Sequence, residues 1–193
     1  MVQPILAATG PILTLLGLSP AARVAGTPME QPQADPVASE AGAGDDADAY
    51  RIRPLELGDI SKGFCDLLAQ LSPSAPLTED AYRARFAELA RLGADHLVLV
   101  AEDAATGRLA AAGAVLVERK FIRRCGTVGH VEDVVVDAAA RGRGLGERVV
   151  RRLVEHARGR GCYKAILNCA PELKGFYAKV GFQEKNVQMG LYF

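Results

Sequence analysis

The stretch Arg141-Gly142-Arg143-Gly144-Leu145-Gly146 sets two cations among three glycines, at the end of the apolar run Val131 to Val136. Behind it, Leu145, Val149, Val150, Leu153, Val154 and Ala157 recur at the spacing of one helix face. A strand, a glycine-rich turn and a helix in that order have a chemical use. The first N–H groups of a helix lack intrahelical partners and carry the positive end of its dipole. Glycine removes the Cβ that would hold a ligand away from them. The product is a cradle for a phosphate or diphosphate, with Arg141 and Arg143 adding charge at the rim. A turn that binds nothing fits the same letters. A P-loop would need Gly-Lys-Ser/Thr, which is absent, and the spacing does not match the dinucleotide fingerprint G-x-G-x-x-G.

Glu132 and Asp133 are adjacent acids within the apolar run before the loop. Strand alternation points them to opposite faces. A carboxylate or an ordered water beside an ammonium group helps to remove its proton. Solvated strand-end acids are the plainer reading.

The elements that must position these residues follow from the chain's patterning. Of its 193 residues, 49% are hydrophobic and 24% charged, and the formal net charge is zero. The charge is unevenly placed. Residues 1–50 hold one base, Arg23, against Glu30, Asp35, Glu40, Asp45, Asp46 and Asp48, leaving a balance of +5 beyond them. A mildly basic body suits an anionic small molecule; it lacks the charge and the aromatic interleaving of a nucleic-acid binder. Cys65, Cys125, Cys162 and Cys169 form no CxxC pair, which argues against a metal site or redox pair. They read as reduced, small core residues.

Residues 1–49 are rich in Ala, Gly and Pro and read as a disordered leader. Ile5 to Leu18 is apolar but broken by Gly10, Pro11 and Gly17, too interrupted to span a membrane; a targeting or membrane-contact role is the alternative. The folded domain is expected over 50–193. A strand over 50–55 leads to a helical stripe Ile60, Phe64, Leu67, Leu68 and Leu71, broken by Ser72-Pro73-Ser74-Ala75-Pro76. A second helix is capped by Thr78. Strands are expected at 96–101, 109–118 and 131–137, with 121–129 as a link. The signature helix, a strand over 162–169, a short helix over 172–180 and a last strand over 188–193 complete the order. This is an α+β chain with a mixed sheet wrapped by helices.

The loop Arg141 to Gly146 resembles the acyl-CoA pyrophosphate loop of the GNAT N-acetyltransferase superfamily. Taken together, Gly129-His130-Val131-Glu132-Asp133-Val134-Val135-Val136-Asp137, the loop, Gly161-Cys162-Tyr163-Lys164 and Phe176-Tyr177-Ala178-Lys179-Val180-Gly181-Phe182 resemble the glucosamine-6-phosphate N-acetyltransferases. The similarity covers residues 50 to 193. It implies the GNAT fold, a mostly antiparallel mixed sheet with a central splay, and a bulge or gap near Glu132-Asp133. It also implies transfer of an acetyl group from acetyl-CoA to the amine of D-glucosamine 6-phosphate, serving UDP-N-acetylglucosamine synthesis in a homodimer, without a metal. The location implied is the cytoplasm or the cytosolic face of the endoplasmic reticulum.

Residue roles are carried over position by position. Gly142, Gly144, Leu145 and Gly146 with both arginines would hold the CoA diphosphate, and Val134, Val135 and Val136, next to Asp133, would pair with the pantetheine arm. Tyr177 would stabilise or protonate the leaving thiolate; a core aromatic is the alternative. Glu132 and Asp133 would belong to the cleft. Lys120, Phe121, Ile122 and Arg123, on the segment resembling the sugar-phosphate loop, with Tyr163, Lys164 and Ser72, would meet the substrate. Arg119 and Arg124 read equally well as solvated charges. Three departures stand out. Asn168 replaces an acid and cannot act as a base, so it would only orient the sugar or amine. Leu173 replaces an Asn that contacts CoA. The chain ends Tyr192-Phe193 without a terminal Arg. A GNAT enzyme for another amine, such as a polyamine or protein N-terminus, and a catalytically silent acyl-CoA-binding module are the competing readings.

Overall fold

The computed structural model describes residues 49–72 and 77–193. The leader, up to residue 48, and the breaker at 73–76 lie outside the described residues. A five-stranded sheet runs in the order β1 (Tyr50–Pro54), β2 (His96–Asp103), β3 (Leu109–Arg119), β4 (Thr127–Val136), β5 (Cys162–Ile166). The first three pairings are antiparallel and β4 pairs with β5 in parallel. Pro54 costs nothing because it ends an edge strand. The expected α+β class, with its mixed and mostly antiparallel sheet, is observed.

Helices cover both faces. On one, α1 (Phe64–Ala69) and α2 (Glu79–Ala90) lay Phe64, Leu67 and Tyr82 against Val100, Ala112 and Val135. Thr78 caps α2 as expected, its hydroxyl accepting from the Ala81 N–H at 3.2 Å. Burial first, with the nearby Asp59 carboxylate, pushes the Tyr82 phenol up to about 12. On the other face α4 (Leu145–Gly159) buries Leu145, Val149, Leu153 and Ala157 against Leu99, Val115 and Val131. Gly129 permits this close approach, since a Cβ there would sit 2.7 Å from that of Ala157. Two short elements remain. α3 (Ile122–Cys125) is a tight turn between β3 and β4, and α5 (Lys174–Ala178) follows a 3-10 turn at Pro171–Leu173.

Five expectations are corrected. The cysteines are not all core residues, since Cys125 and Cys169 are exposed and Cys65 and Cys162 only half-buried. The first helical stripe divides at Gly63, φ +89°, into a 3-10 turn (Leu57–Lys62) and α1. The link 121–129 is shorter, because β4 already pairs with β3 from Thr127. β5 ends at Ile166 rather than Cys169, because its pairing with β4 ends there. The strand expected over 188–193 is absent: those residues pair with nothing in the single chain and leave Met189, Leu191, Tyr192 and Phe193 exposed. A strand needs a neighbouring edge to satisfy its backbone.

A buried charge network, invisible in the letters, pins β1 to the sheet. Arg53 grips Asp59 through both Nη atoms, each at 2.7 Å, and donates Nε to Glu102 at 2.7 Å; Lys62 closes the group on Glu102 at 2.7 Å. Burial alone would push the Asp59 carboxyl up. Arg53, the Glu56 N–H and Lys62 outweigh it and hold the group below its ordinary value. Asp59→Asn removes the bidentate partner of the buried guanidinium, leaving it the Glu102 carboxylate alone, and should cost up to about 3 kcal/mol, measured by urea unfolding at pH 7. Because the folded carboxyl is the stronger acid, this contribution is present above pH ~3.9 and fades as pH falls through the lower folded value. A wild-type-to-variant difference that stays constant down to pH 2 would contradict it.

Candidate active site

The glycine loop has the geometry of an anion cradle. Gly142 and Gly144 take φ of +82° and +71°, and no atom lies within 4 Å of where a Cβ would stand on either. L-residues rarely adopt that backbone, so glycine is needed here. No side chain caps α4, and its first turn closes with the Arg148 N–H on the Gly144 carbonyl at 3.0 Å. The N–H groups ahead of that bond are therefore presented outward. Leu145 is buried and offers only its backbone. Gly146 lets Phe176 of α5 and Val136 close over the helix, at 3.1 and 3.2 Å from a notional Cβ. Arg141 is exposed and donates Nε to the Val136 carbonyl at 3.3 Å; Arg143 lies against Tyr50, with Nη1 at 3.1 Å from its hydroxyl.

Beside the loop the sheet opens. β4 and β5 pair only as far as His130 with Ile166, while β4 continues to Val136. The β4 edge at Val134, Val135 and Val136 thus carries backbone groups without a strand on that side. A bulge marks the opening: the β3–β4 register shifts between Ala112 and Ala114, and Asp133 takes φ +52°. The bulge expected at Glu132-Asp133 is present. Plain alternation does not carry through it. Both acids are exposed; Glu132 acts on Tyr177, and Asp133 acts on His96 of β2.

Tyr177 is 8% exposed and makes edge-on contacts with Phe176 at 4.8 Å and Phe182 at 6.1 Å. Burial first, then the neighbouring Cys169 and Glu132, raises its pKa, so the phenol keeps its proton at neutral pH. No described residue takes that proton in a hydrogen bond. A protonated, unengaged phenol near the gap is a donor awaiting an anion. Asn168 is exposed beyond the end of β5, and Leu173 lies in the 3-10 turn before α5 with 45% exposure.

Three of the substrate-side residues, Arg123, Tyr163 and Lys164, come together as a second group. In α3, Arg123, Arg124 and Cys125 take φ of +52°, +56° and +60° in succession. Each such residue costs about 1–2 kcal/mol, and strain of this kind gathers at functional loops. The turn presents Phe121 and Ile122 to solvent and sets the Arg123 guanidinium 5.0 Å from the Tyr163 ring centre. Lys164 reaches the same ring at 5.8 Å. Lys120 is tied to Glu118 at 2.6 Å. Ser72 is exposed at the end of the segment after α1. Arg119, by contrast, is bound to Asp95 at the sheet's edge, away from this group.

Sequence reasoning missed Glu118, His96 and His130. His130 stands within the quoted motif, but no spacing rule flags one histidine. Glu118 holds its Nε2 at 2.8 Å, a cross-strand contact that no local pattern shows. Burial lowers the His96 pKa against the opposing pull of Asp133. A cleft of about 310 Å³, lined by Ile52, Arg148, Arg151, Arg152 and Glu155, contains none of the expected site residues.

Gly144→Trp tests the cradle. The space is open, so the side chain fits, at about 1–2 kcal/mol for the left-handed backbone, and it screens the helix N–H groups. Acetyl-CoA affinity by calorimetry should fall more than about tenfold with the fold retained by circular dichroism. Unchanged affinity contradicts the assignment.

Comparison with known proteins agrees with this geometry. The acetyltransferase (GNAT) family model matches residues 63–182. Glucosamine 6-phosphate N-acetyltransferase 1 of Oryza sativa subsp. japonica is 83% identical over 165 residues, covering 86% of this chain and 100% of that protein. Glucosamine 6-phosphate N-acetyltransferase of Arabidopsis thaliana is 46% identical over 147 residues, covering 76% and 99%. The crystal structure of the Arabidopsis thaliana enzyme superposes with a TM-score of 0.74 over 75% of this chain and 98% of that one. A glycine cradle at a helix start, an opened strand edge beside it and likeness along nearly the whole length of these relatives lead to one conclusion: the chain belongs to the GNAT acetyltransferase family, among the glucosamine 6-phosphate N-acetyltransferases.

Proposed function

We propose that the chain transfers the acetyl group of acetyl-CoA to the amine of D-glucosamine 6-phosphate, giving the N-acetyl sugar phosphate used in UDP-N-acetylglucosamine synthesis. One observation carries the reading: the uncapped N-terminus of α4, with its left-handed glycines, adjoins a strand edge that is open from the bulge onward. Those are the two surfaces that a diphosphate joined to an amide-bearing arm requires. GNAT acetyltransferases use acetyl-CoA, which supplies the acyl group already activated as a thioester, so no covalent enzyme intermediate is needed.

The chain's own residues do the rest. The loop N–H groups and Arg141 hold the diphosphate. The β4 edge aligns the arm, and such positioning is worth up to about 7–11 kcal/mol of the barrier. Tyr177 donates to the departing sulfur as its charge develops. Glu132, Asp133 and the Asn168 amide orient the amine and sugar. Arg123 and Lys164, set about Tyr163, supply charge for the substrate phosphate together with Lys120, with the Ser72 hydroxyl as a further donor. A homodimer is part of the proposal: the C-terminal residues Val187, Met189, Leu191, Tyr192 and Phe193 are 79% or more exposed, an apolar run that a second copy would cover. The place of work proposed is the cytoplasm or the cytosolic face of the endoplasmic reticulum.

Two measurements test the reading. Thiol release from acetyl-CoA should be far faster with glucosamine 6-phosphate than with glucosamine, and equal rates would sink the phosphate assignment. Tyr177→Phe should lower kcat by about 10²–10³ while leaving acetyl-CoA affinity intact; a wild-type kcat would remove the phenol from the reaction.

A further inference from the structure

When an ammonium group becomes an amide, its nitrogen gives up two protons. One is balanced by the thiolate, which leaves as a thiol through Tyr177. The other has to leave the cleft, and the orienting roles proposed for Glu132, Asp133 and Asn168 do not say where it goes. The Asn168 amide cannot accept it. Carboxylates are, as a class, weak bases near neutral pH, so a stronger base would take the proton onward.

Two residues ahead of Glu132, His130 stands at the rim of the gap, as the last β4 residue paired with β5. Its side chain is 28% exposed, and its Nε2 lies 2.8 Å from Glu118 Oε2. The other oxygen of that carboxylate, Oε1, holds Lys120 Nζ at 2.6 Å. Lys120 first, and His130 second, keep the Glu118 carboxyl below its ordinary value, so it is ionised and can only accept. The hydrogen between Glu118 and His130 therefore belongs to Nε2. In a neutral imidazole that leaves Nδ1 as the bare lone pair. No described residue occupies Nδ1.

We propose that His130 accepts, at Nδ1, the proton that the amine gives up, and that Glu118 is the positioning residue which fixes the accepting tautomer. The proposal rests on the acetyl-transfer reading and extends it. His130 and Glu132 are alternate residues on one strand face, with backbones about 7 Å apart along β4, a separation for their side chains and intervening water to span. The N–H bond of the amine breaks, a proton passes along this path to Nδ1, and the nitrogen pair is freed for the acyl carbon. His130 then returns the proton to solvent through its exposed edge. The charged groups around the imidazole come from every neighbouring strand. Glu118 and Lys120 lie on or just beyond β3, and Glu132 on β4. Lys164 on β5 is paired one rung back with Val128. His96 on β2 lies across Leu116, which pairs with both histidines.

The test has two readouts on the full chain. The first is the tautomer, read from imidazole nitrogen shifts of ¹⁵N-labelled protein without substrate. His130 is assigned by its loss in His130→Asn, against His96 and His156. Wild type should show the Nε2–H form, and Glu118→Gln a mixture; an Nδ1–H form in wild type overturns the proposal. The second is kinetic. His130→Asn should lose about 10²-fold in kcat near pH 7, keep its acetyl-CoA affinity and recover activity in imidazole buffer. A wild-type kcat, or a loss that is equal at all pH and indifferent to imidazole, overturns it. Wild-type turnover of glucosamine 6-phosphate in the same assay stands as a separate control. If the variant matches that turnover, the proton path fails and the acetyl-transfer reading survives. If wild type does not turn over, that reading fails, and the nitrogen shifts still decide the state of the imidazole.

Discussion

The structure depends on a set of backbone hydrogen bonds that are not made. A parallel pair of strands gains one ladder of bonds per register, yet β4 and β5 abandon theirs after His130 and Ile166. Backbone groups left without partners are costly unless water or a ligand takes them. The left-handed Asp133 and the register shift beside it turn the strand where pairing stops. The expected site residues Glu132 to Val136 border that opening. The glycine loop continues from the far end of β4, Phe176 and Phe182 hold the Tyr177 ring edge-on within the influence of Glu132, and His130 stands where the pairing ends.

Rigid surroundings make such an opening tolerable. α4 covers one face of β4 through close contact at Gly129, and α1 and α2 cover the other through Val135. The Arg53–Asp59–Glu102–Lys62 network ties the far edge of the sheet to the segment that leads into α1. Strain is spent in two places, at Asp133 and across Arg123 to Cys125, and both border the expected ligands. Elsewhere among the described residues, Asn186 alone of the non-glycine residues takes a positive φ.

Much of this was legible in the letters, for local reasons. The α4 stripe, the Thr78 cap and the glycines of the loop are signals carried within a few residues. The bulge at Glu132-Asp133 follows from resemblance, not from periodicity, as does the role expected of Tyr177. What escaped is what depends on residues far apart in the chain. Arg53 meets Glu102 across 49 positions, and the His130–Glu118 bond crosses two strands. Nothing in Phe121 to Cys125 announces a left-handed turn, since no glycine is there to permit one. The last strand failed for the opposite reason. Its letters are strand-like, but an edge must exist for it to join.

The open β4 edge and the start of α4 are the two surfaces expected to take up acetyl-CoA. Hydrogen exchange of the full chain, with and without acetyl-CoA, reads this directly. Slowed exchange at the backbone N–H groups of residues 134–136 and 142–146 is the expected result. Unchanged exchange at both segments under saturating acetyl-CoA would contradict it.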